Sequence, residues 1–241
     1  MLKSILKTLG LYRQSFSRYC WIVNCGHGIQ QVGKESFPIK SPISGEEVNI
    51  KEWILNRDVA GRLLQLLEYN NYTHLDLNPS PWQVGQFLGN EGISRIDIAN
   101  SIVSDLEKSK GKQCLYVSIH FNASGSTTWD NARGAEVYYY DNNKAGNTMA
   151  HIFYTNLIKD MPDLIGNRAT PVRSRNDLYE LRRTIMPAVL IECNFALSNK
   201  EDLELAMQDS FRQFIANSLY KSIKRIDSIP FLELSKDSTI I

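Results

Sequence analysis

Short continuous apolar runs alternate along this chain with longer stretches in which apolar residues recur at helical spacing. The runs Trp21-Ile22-Val23-Asn24-Cys25, Cys114-Leu115-Tyr116-Val117 and Ala188-Val189-Leu190-Ile191 each read as a buried strand. Ala135 to Tyr140 and the alternating segment His74 to Asn78 read as two more. Between them, Ile54, Leu55, Val59, Leu63, Leu66 and Leu67 predict a helix over Lys51 to Tyr69. Helices are also expected over Ser94 to Lys108, Ala145 to Met161 and Asp202 to Ile223, the last capped near Ser198 or Asn199. Gln30 to Asn49 reads as a long polar loop broken by Pro38, Pro42 and Gly45, Pro79 to Gly92 as irregular, and Pro162 to Glu180 as loop-rich. Strands alternating with helices predict an α/β fold: a single domain with a central, mostly parallel (mixed) sheet and helices on both faces.

The two ends differ from this body. Leu2, Ile5, Leu6 and Leu9 fall at helical spacing, and Lys3, Lys7, Arg13 and Arg18 are unbalanced by any acid. Residues 1–18 therefore read as a basic amphipathic helix, packed on the edge of the domain or touching a membrane surface. Lys7, Arg13 and Gln14 interrupt any apolar core, and no small-residue cleavage site follows, so no secretory signal is expected. The folded domain is expected over 19–225 and a tail over 226–241, docked through Phe231 and Leu232.

Composition narrows the class. With 241 residues, 43% hydrophobic and 22% charged, the chain suits one globular domain with a real core. A net charge of +1 gives no overall field for nucleic acid or membrane. No apolar run reaches the eighteen or so residues that a membrane span needs, so stable insertion is not expected. The four cysteines, Cys20, Cys25, Cys114 and Cys193, sit in or beside the apolar strands without a CxxC pair. They read as buried free thiols in a protein made in a reducing compartment, and not as a thiolate zinc site.

The candidate chemistry lies where three strands end. The first runs into Gly26-His27-Gly28, the second into Ser118-Ile119-His120-Phe121-Asn122, and the third into Glu192-Cys193-Asn194. Ligand sites in open α/β sheets lie at that carboxyl edge. Two histidines and a carboxylate are a common zinc set, with a further position for water, and a separate carboxylate then serves as general base and acid. His74 and His151, in a short strand and a helix, lack such surroundings. Each histidine taken singly is more often structural than a ligand. A carboxylate inside the run Val-Leu-Ile-Glu-Cys is costly to bury unpaired. A metal, a bound water or an arginine such as Arg182 or Arg183 would offset that cost for Glu192.

Taken together these segments resemble a known family. Asn-Cys-Gly-His-Gly, then Glu52, then Ser-Ile-His-Phe-Asn-Ala, then Pro187 through Glu192-Cys-Asn-Phe-Ala-Leu-Ser-Asn199 is similar to the zinc-dependent N-acetylmuramoyl-L-alanine amidases of the amidase-3 family, over roughly Trp21 to Phe214. The resemblance implies that His27, Glu52 and His120 hold Zn²⁺ and that Glu192 is the general base. Glu52 fits through Asn56 and the run Leu63-Leu64-Gln65-Leu66-Leu67, with Glu46 and Glu47 as rivals for the ligand position. Two departures stand out: Asn24 replaces the usual Asp of the first motif, and Asn194 stands where Gly is usual. Gly166-Asn167-Arg168 resembles the segment near the substrate peptide, which makes Arg168 and Asn122 candidate substrate contacts. The implied activity is hydrolysis of the amide between N-acetylmuramic acid and L-alanine in peptidoglycan, by a monomer made without a signal peptide and acting on the cell wall, as a phage endolysin or virion-associated lysin would. The rivals are a zinc peptidase on wall peptides and a wall-binding virion protein on the same fold.

Overall fold

The computed structural model describes residues 17–29, 31–41, 43–78 and 94–236. The helix expected over 1–18, the irregular stretch Pro79 to Gly92 and the last residues of the tail lie wholly or almost wholly outside them.

The apolar runs form the strands as expected. These are β1 (Cys20–Cys25), β4 (His74–Asp76), β5 (Cys114–His120), β6 (Glu136–Tyr139) and β8 (Ala188–Glu192). With β7 (Val172–Ser174) they make one six-stranded sheet in the order β4-β1-β5-β8-β6-β7. All neighbours run parallel except β6 and β8, which are antiparallel. Every position of β1 and of β5 is buried, which is why they read as continuous apolar runs and not as alternating ones.

Seven α-helices occur among the described residues: α1 (Glu52–Tyr69), α2 (Arg95–Lys110), α3 (Lys144–Asp160), α4 (Tyr179–Arg183), α5 (Lys200–Met207), α6 (Asp209–Asp227) and α7 (Phe231–Leu234). They cover both faces of the sheet. On one face Trp21, Val23, Leu115, Val117, Val189 and Ile191 share a core with Leu63 of α1, Phe153 of α3 and Leu219 of α6. On the other, Cys20, Ile22, Tyr116 and Leu190 meet Ile96 and Ala99 of α2 and Leu181 of α4. A capping box opens α2: the Ser94 hydroxyl accepts from the Asp97 N–H at 3.1 Å, and the Asp97 carboxylate accepts from the Ser94 N–H at 3.0 Å.

Several expectations are corrected. The helix predicted over Asp202 to Ile223 is two, α5 and α6, separated at Gln208, whose backbone is extended (φ −74°, ψ 130°). Asn199 is the cap, accepting from the Asp202 N–H at 3.0 Å. The loop Gln30 to Asn49 contains a small hairpin, β2 (Ile39–Lys40) with β3 (Glu47–Val48). The loop-rich stretch after Pro162 holds a 3₁₀ turn (Pro162–Ile165), strand β7 and the start of α4. Such two- or three-residue strands are too short to show a period. In the C-terminal segment Leu232 is 80% exposed, while Leu234 is fully buried and Phe231 packs against the core. The Asp227 carboxylate ties this end to β1: it accepts from the backbone N–H of Arg18 and Tyr19 and from the Trp21 indole.

Candidate metal centre and active site

His27 leaves β1 on a sharp turn, with φ of 62°, a left-handed conformation that few residues other than glycine adopt. Gly26 before it is required by packing. A Cβ at that position would lie 2.0 Å from Cε1 of His120, so the His120 ring rests on the bare Gly26 backbone. The Gly26 N–H continues the β1–β5 ladder by donating to the Ile119 carbonyl at 2.9 Å.

Glu52 is the first residue of α1 and is 3% exposed. Its Oε2 meets Nε2 of His27 at 3.0 Å, and its Oε1 meets Nδ1 of His120 at 3.1 Å. Asn56, one turn later, donates to Glu52 Oε1 at 3.0 Å and to the Gly26 carbonyl at 2.9 Å, which joins the helix to the His27 turn. Ligand atoms of His27, Glu52 and His120 lie within 4.8 Å of one another. Glu46 and Glu47 are exposed, on or beside β3, and form no such group. The donor set fits a divalent cation of the zinc type: two imidazole nitrogens and a carboxylate oxygen, converging at a strand edge. The far nitrogens also have partners. His27 Nδ1 is 2.8 Å from Gln31 Oε1, and His120 Nε2 is 3.1 Å from Ser118 Oγ.

Glu192 ends β8 and is the register partner of His120. On its other side its partner is Glu136, at the start of β6. Three titratable groups therefore stand in one row across the sheet. Oε2 of Glu192 is buried without a hydrogen-bond partner among the described residues. Arg182 and Arg183 are exposed at the end of α4 and are not its partners, which removes the arginine alternative. Glu136, by contrast, is heavily paired. It accepts from Arg173 at 2.6 Å, Arg168 at 3.3 Å, Asn122 at 2.9 Å and the Tyr138 hydroxyl.

Environment separates these carboxyls. Burial pushes Glu192 up to about 8, reinforced by Glu52 and Glu136 and opposed by His120. Burial also acts on Glu52, but the hydrogen bonds of His120 and His27 hold it well below the usual carboxylate range. Burial alone would lower His120, yet Glu180 and Glu52 raise it to about 10. Glu180, buried beneath the ring, is held low by His120 and Arg95 against its own desolvation.

Beside the candidate metal ligands a cavity of about 360 Å³ has Glu192, Glu136, Asn122, Tyr138, Arg168 and Arg173 among its lining residues. The Arg168 guanidinium lies over the Phe195 ring at 5.2 Å. A larger hollow, about 530 Å³, between Tyr140–Ala145 and Phe231 holds none of these groups. Asn194 is accommodated without a glycine: its amide donates to the Asp202 carbonyl at 2.7 Å and its oxygen accepts from the Ala196 N–H at 3.1 Å. The structure thus brings His27, Glu52, His120 and Glu192 to one edge and sets Arg168 and Asn122 on the adjoining wall. Glu136, Glu180 and Arg173 were not singled out from sequence. The available signal was a carboxylate at the first position of an apolar strand for Glu136, and none for the other two.

The chain matches a protein family described as N-acetylmuramoyl-L-alanine amidase, Amidase_3, over residues 22–225. It is similar to the germination-specific N-acetylmuramoyl-L-alanine amidase of Bacillus subtilis (strain 168), with 29% identity over 111 residues, 46% of this chain and 44% of that protein. Its fold is similar to that of the CwlD amidase from Clostridioides difficile, solved in complex with the GerS lipoprotein (TM-score 0.61, 21% identity, 88% of this chain and 100% of that one). It is also similar to the amidase Ami1 from Mycobacterium smegmatis (TM-score 0.64, 17% identity, 89% of this chain and 99% of that one). The chain spans about half the length of the curated relatives it matches, between 40% and 51%. Because the family match covers most of the chain and includes every residue of the candidate site, the chain belongs to the N-acetylmuramoyl-L-alanine amidase family Amidase_3.

Proposed function

We propose that this chain is a zinc-dependent amidase that hydrolyses the bond between N-acetylmuramic acid and L-alanine in peptidoglycan. The observation that carries the reading is the convergence of His27, Glu52 and His120 within 4.8 Å, beside a Glu192 carboxylate with an unpartnered buried oxygen. Zinc, when bound by those three residues, supplies Lewis acidity and lowers the pKa of a water. Glu192 accepts the proton of the attacking water as the carbonyl carbon gains its new oxygen. It then delivers that proton to the nitrogen of the leaving L-alanine as the C–N bond breaks. Burial raises the proton affinity of Glu192, which favours its taking the proton of the attacking water. Arg168 and Asn122 contact the peptide from the cavity wall, and pairing with Glu136 keeps the Arg168 side chain in place.

Digestion of purified peptidoglycan by the zinc-loaded protein, beside Glu192→Gln and read by mass spectrometry, tests the reading. The expected products are intact glycan and stem peptides with a new L-alanine amino terminus, absent with the variant. Single amino acids or cut cross-links would make the protein a peptidase, and no cleavage at all would leave a wall-binding role. The phage-lysin setting is proposed with the activity and has its own test. Clearing of intact cells by added protein is the lytic outcome. Stem-peptide release from isolated walls without clearing places the chain in wall turnover instead.

A further inference from the structure

The far side of the His120 ring carries a group that the proposed reaction does not use. His120 turns Nδ1 towards Glu52, at 3.1 Å, so its Nε2 lies on the opposite side from the donor set. There it meets Ser118 Oγ at 3.1 Å and Glu180 Oε1 at 3.7 Å. Glu180 belongs to the short helix α4, on the second face of the sheet, and is 1% exposed. Its Oε2 accepts from the Asn24 amide and from the Tyr116 hydroxyl, each at 3.1 Å. Asn24 also donates to Ser118 Oγ at 2.9 Å. Side chains from β1, β5 and α4 thus hold one carboxylate behind one ligand histidine.

Packing alone does not account for a carboxylate here. The layer it lies in is largely apolar, with Ile22, Tyr116, Leu181 and Leu190, and besides His120 the buried Arg95 is a charge that acts on it; burying a charge in such surroundings is unfavourable without a specific partner. A histidine that offers Nδ1 to a cation carries its proton on Nε2. An acceptor at Nε2 then fixes the tautomer, the ring orientation and the basicity of the ligand. For His27 the neutral amide of Gln31 occupies the equivalent place.

We propose that Glu180 is a positioning residue for the metal centre: with Ser118 it holds His120 as the Nε2–H tautomer, with Nδ1 facing the cation. The inference rests on the metal reading above. Asn24 makes the arrangement possible, because its amide can donate to Glu180, whereas the Asp more usual at this position would set a second carboxylate against it.

The test uses the full chain and zinc chloride. Long-range nitrogen–proton spectra of the zinc-loaded wild type should show His120 ligated through Nδ1 and protonated at Nε2. Ligation through Nε2 would overturn the inference. In competition with a chelating indicator, Glu180→Gln should weaken zinc binding about 10- to 100-fold with the fold intact by circular dichroism. Moving the carboxylate across, in Asn24→Asp/Glu180→Gln, should recover most of that loss. A folded Glu180→Gln that binds zinc as the wild type does would also overturn it. If that variant does not fold, the wild-type spectra decide. Wild-type protein that takes up no zinc would instead overturn the metal reading itself.

Discussion

His120 and Glu192 are direct partners across the parallel ladder between β5 and β8, so the proposed metal ligand and the proposed base are set side by side by backbone hydrogen bonds. Neither is placed by a loop. A site built on paired strands keeps its geometry without help from substrate, and this places the chemistry at the carboxyl edge of the sheet.

Glu192→Gln keeps the size of the side chain and removes only its basicity. We expect kcat to fall about 100- to 10,000-fold, the usual span for loss of a general acid–base. Zinc content, measured by atomic absorption, should stay at the wild-type value. A variant with normal turnover would remove Glu192 from the mechanism.

Gly26→Ala tests the packing of the centre independently of its charge. The new methyl group would meet the His120 ring at 2.0 Å, and moving the ring away would break the contacts that hold both its nitrogens, Glu52 at Nδ1 and Ser118 at Nε2. The variant should remain folded by circular dichroism but lose zinc binding by at least about tenfold, as supporting-shell changes commonly do. Wild-type affinity in that variant would show that His120 does not sit on the Gly26 backbone.

The metal-free protein should become less stable as pH rises. His120 is raised from 6.5 to about 10 in the folded chain, so the stability it contributes is complete below pH 6.5 and is lost as pH climbs through 10. Glu192, raised from 4.5 to about 8, acts in the same direction between those two values. Glu52 and Glu180 are lowered, so their contribution is present above their unfolded value of 4.5 and is lost as pH falls through their folded values. Melting temperatures of the metal-free chain should therefore decline from about pH 6 to pH 10. Zinc affinity should rise over the same range, since zinc displaces the His120 proton. A flat melting profile between pH 6 and 10 would contradict the charge state assigned to this centre.

Asp227→Ala should loosen the join between the first strand and the last long helix. Three donors, the N–H groups of Arg18 and Tyr19 and the Trp21 indole, lose their acceptor. Unsatisfied donors of this kind cost about 1–3 kcal/mol each when fully buried, so a total near the lower end is expected for this half-buried carboxylate. Urea unfolding should show the change as a lower midpoint with an unchanged slope. Zinc affinity should not move, because Asp227 is not among the groups around the centre.

Much of this molecule was legible in the amino-acid order alone. β1, β5 and β8 were readable because strands buried on both faces must be apolar at nearly every position, and α1 because one buried stripe recurs every three to four residues. His27, His120 and Glu192 were readable because each closely follows such a run, whereas Glu52 was readable only through the family resemblance, whose helical ligand it fits by its register with Asn56 and the leucines behind it. Other features required the folded chain. Glu136 enters the site because β6 pairs antiparallel with β8 at one particular register, and strand order and register depend on packing between segments distant in sequence. Glu180 reads locally as the last residue of a loop-rich stretch; only the packing of α4 beneath the sheet buries it behind His120. The break at Gln208 between α5 and α6 has no glycine or proline to announce it. Local sequence determined which segments could be buried and which side chains carried reactive groups. The long-range pairing of those segments decided which of the charges would face one another, because a carboxylate has no preference for a partner until the fold removes it from water.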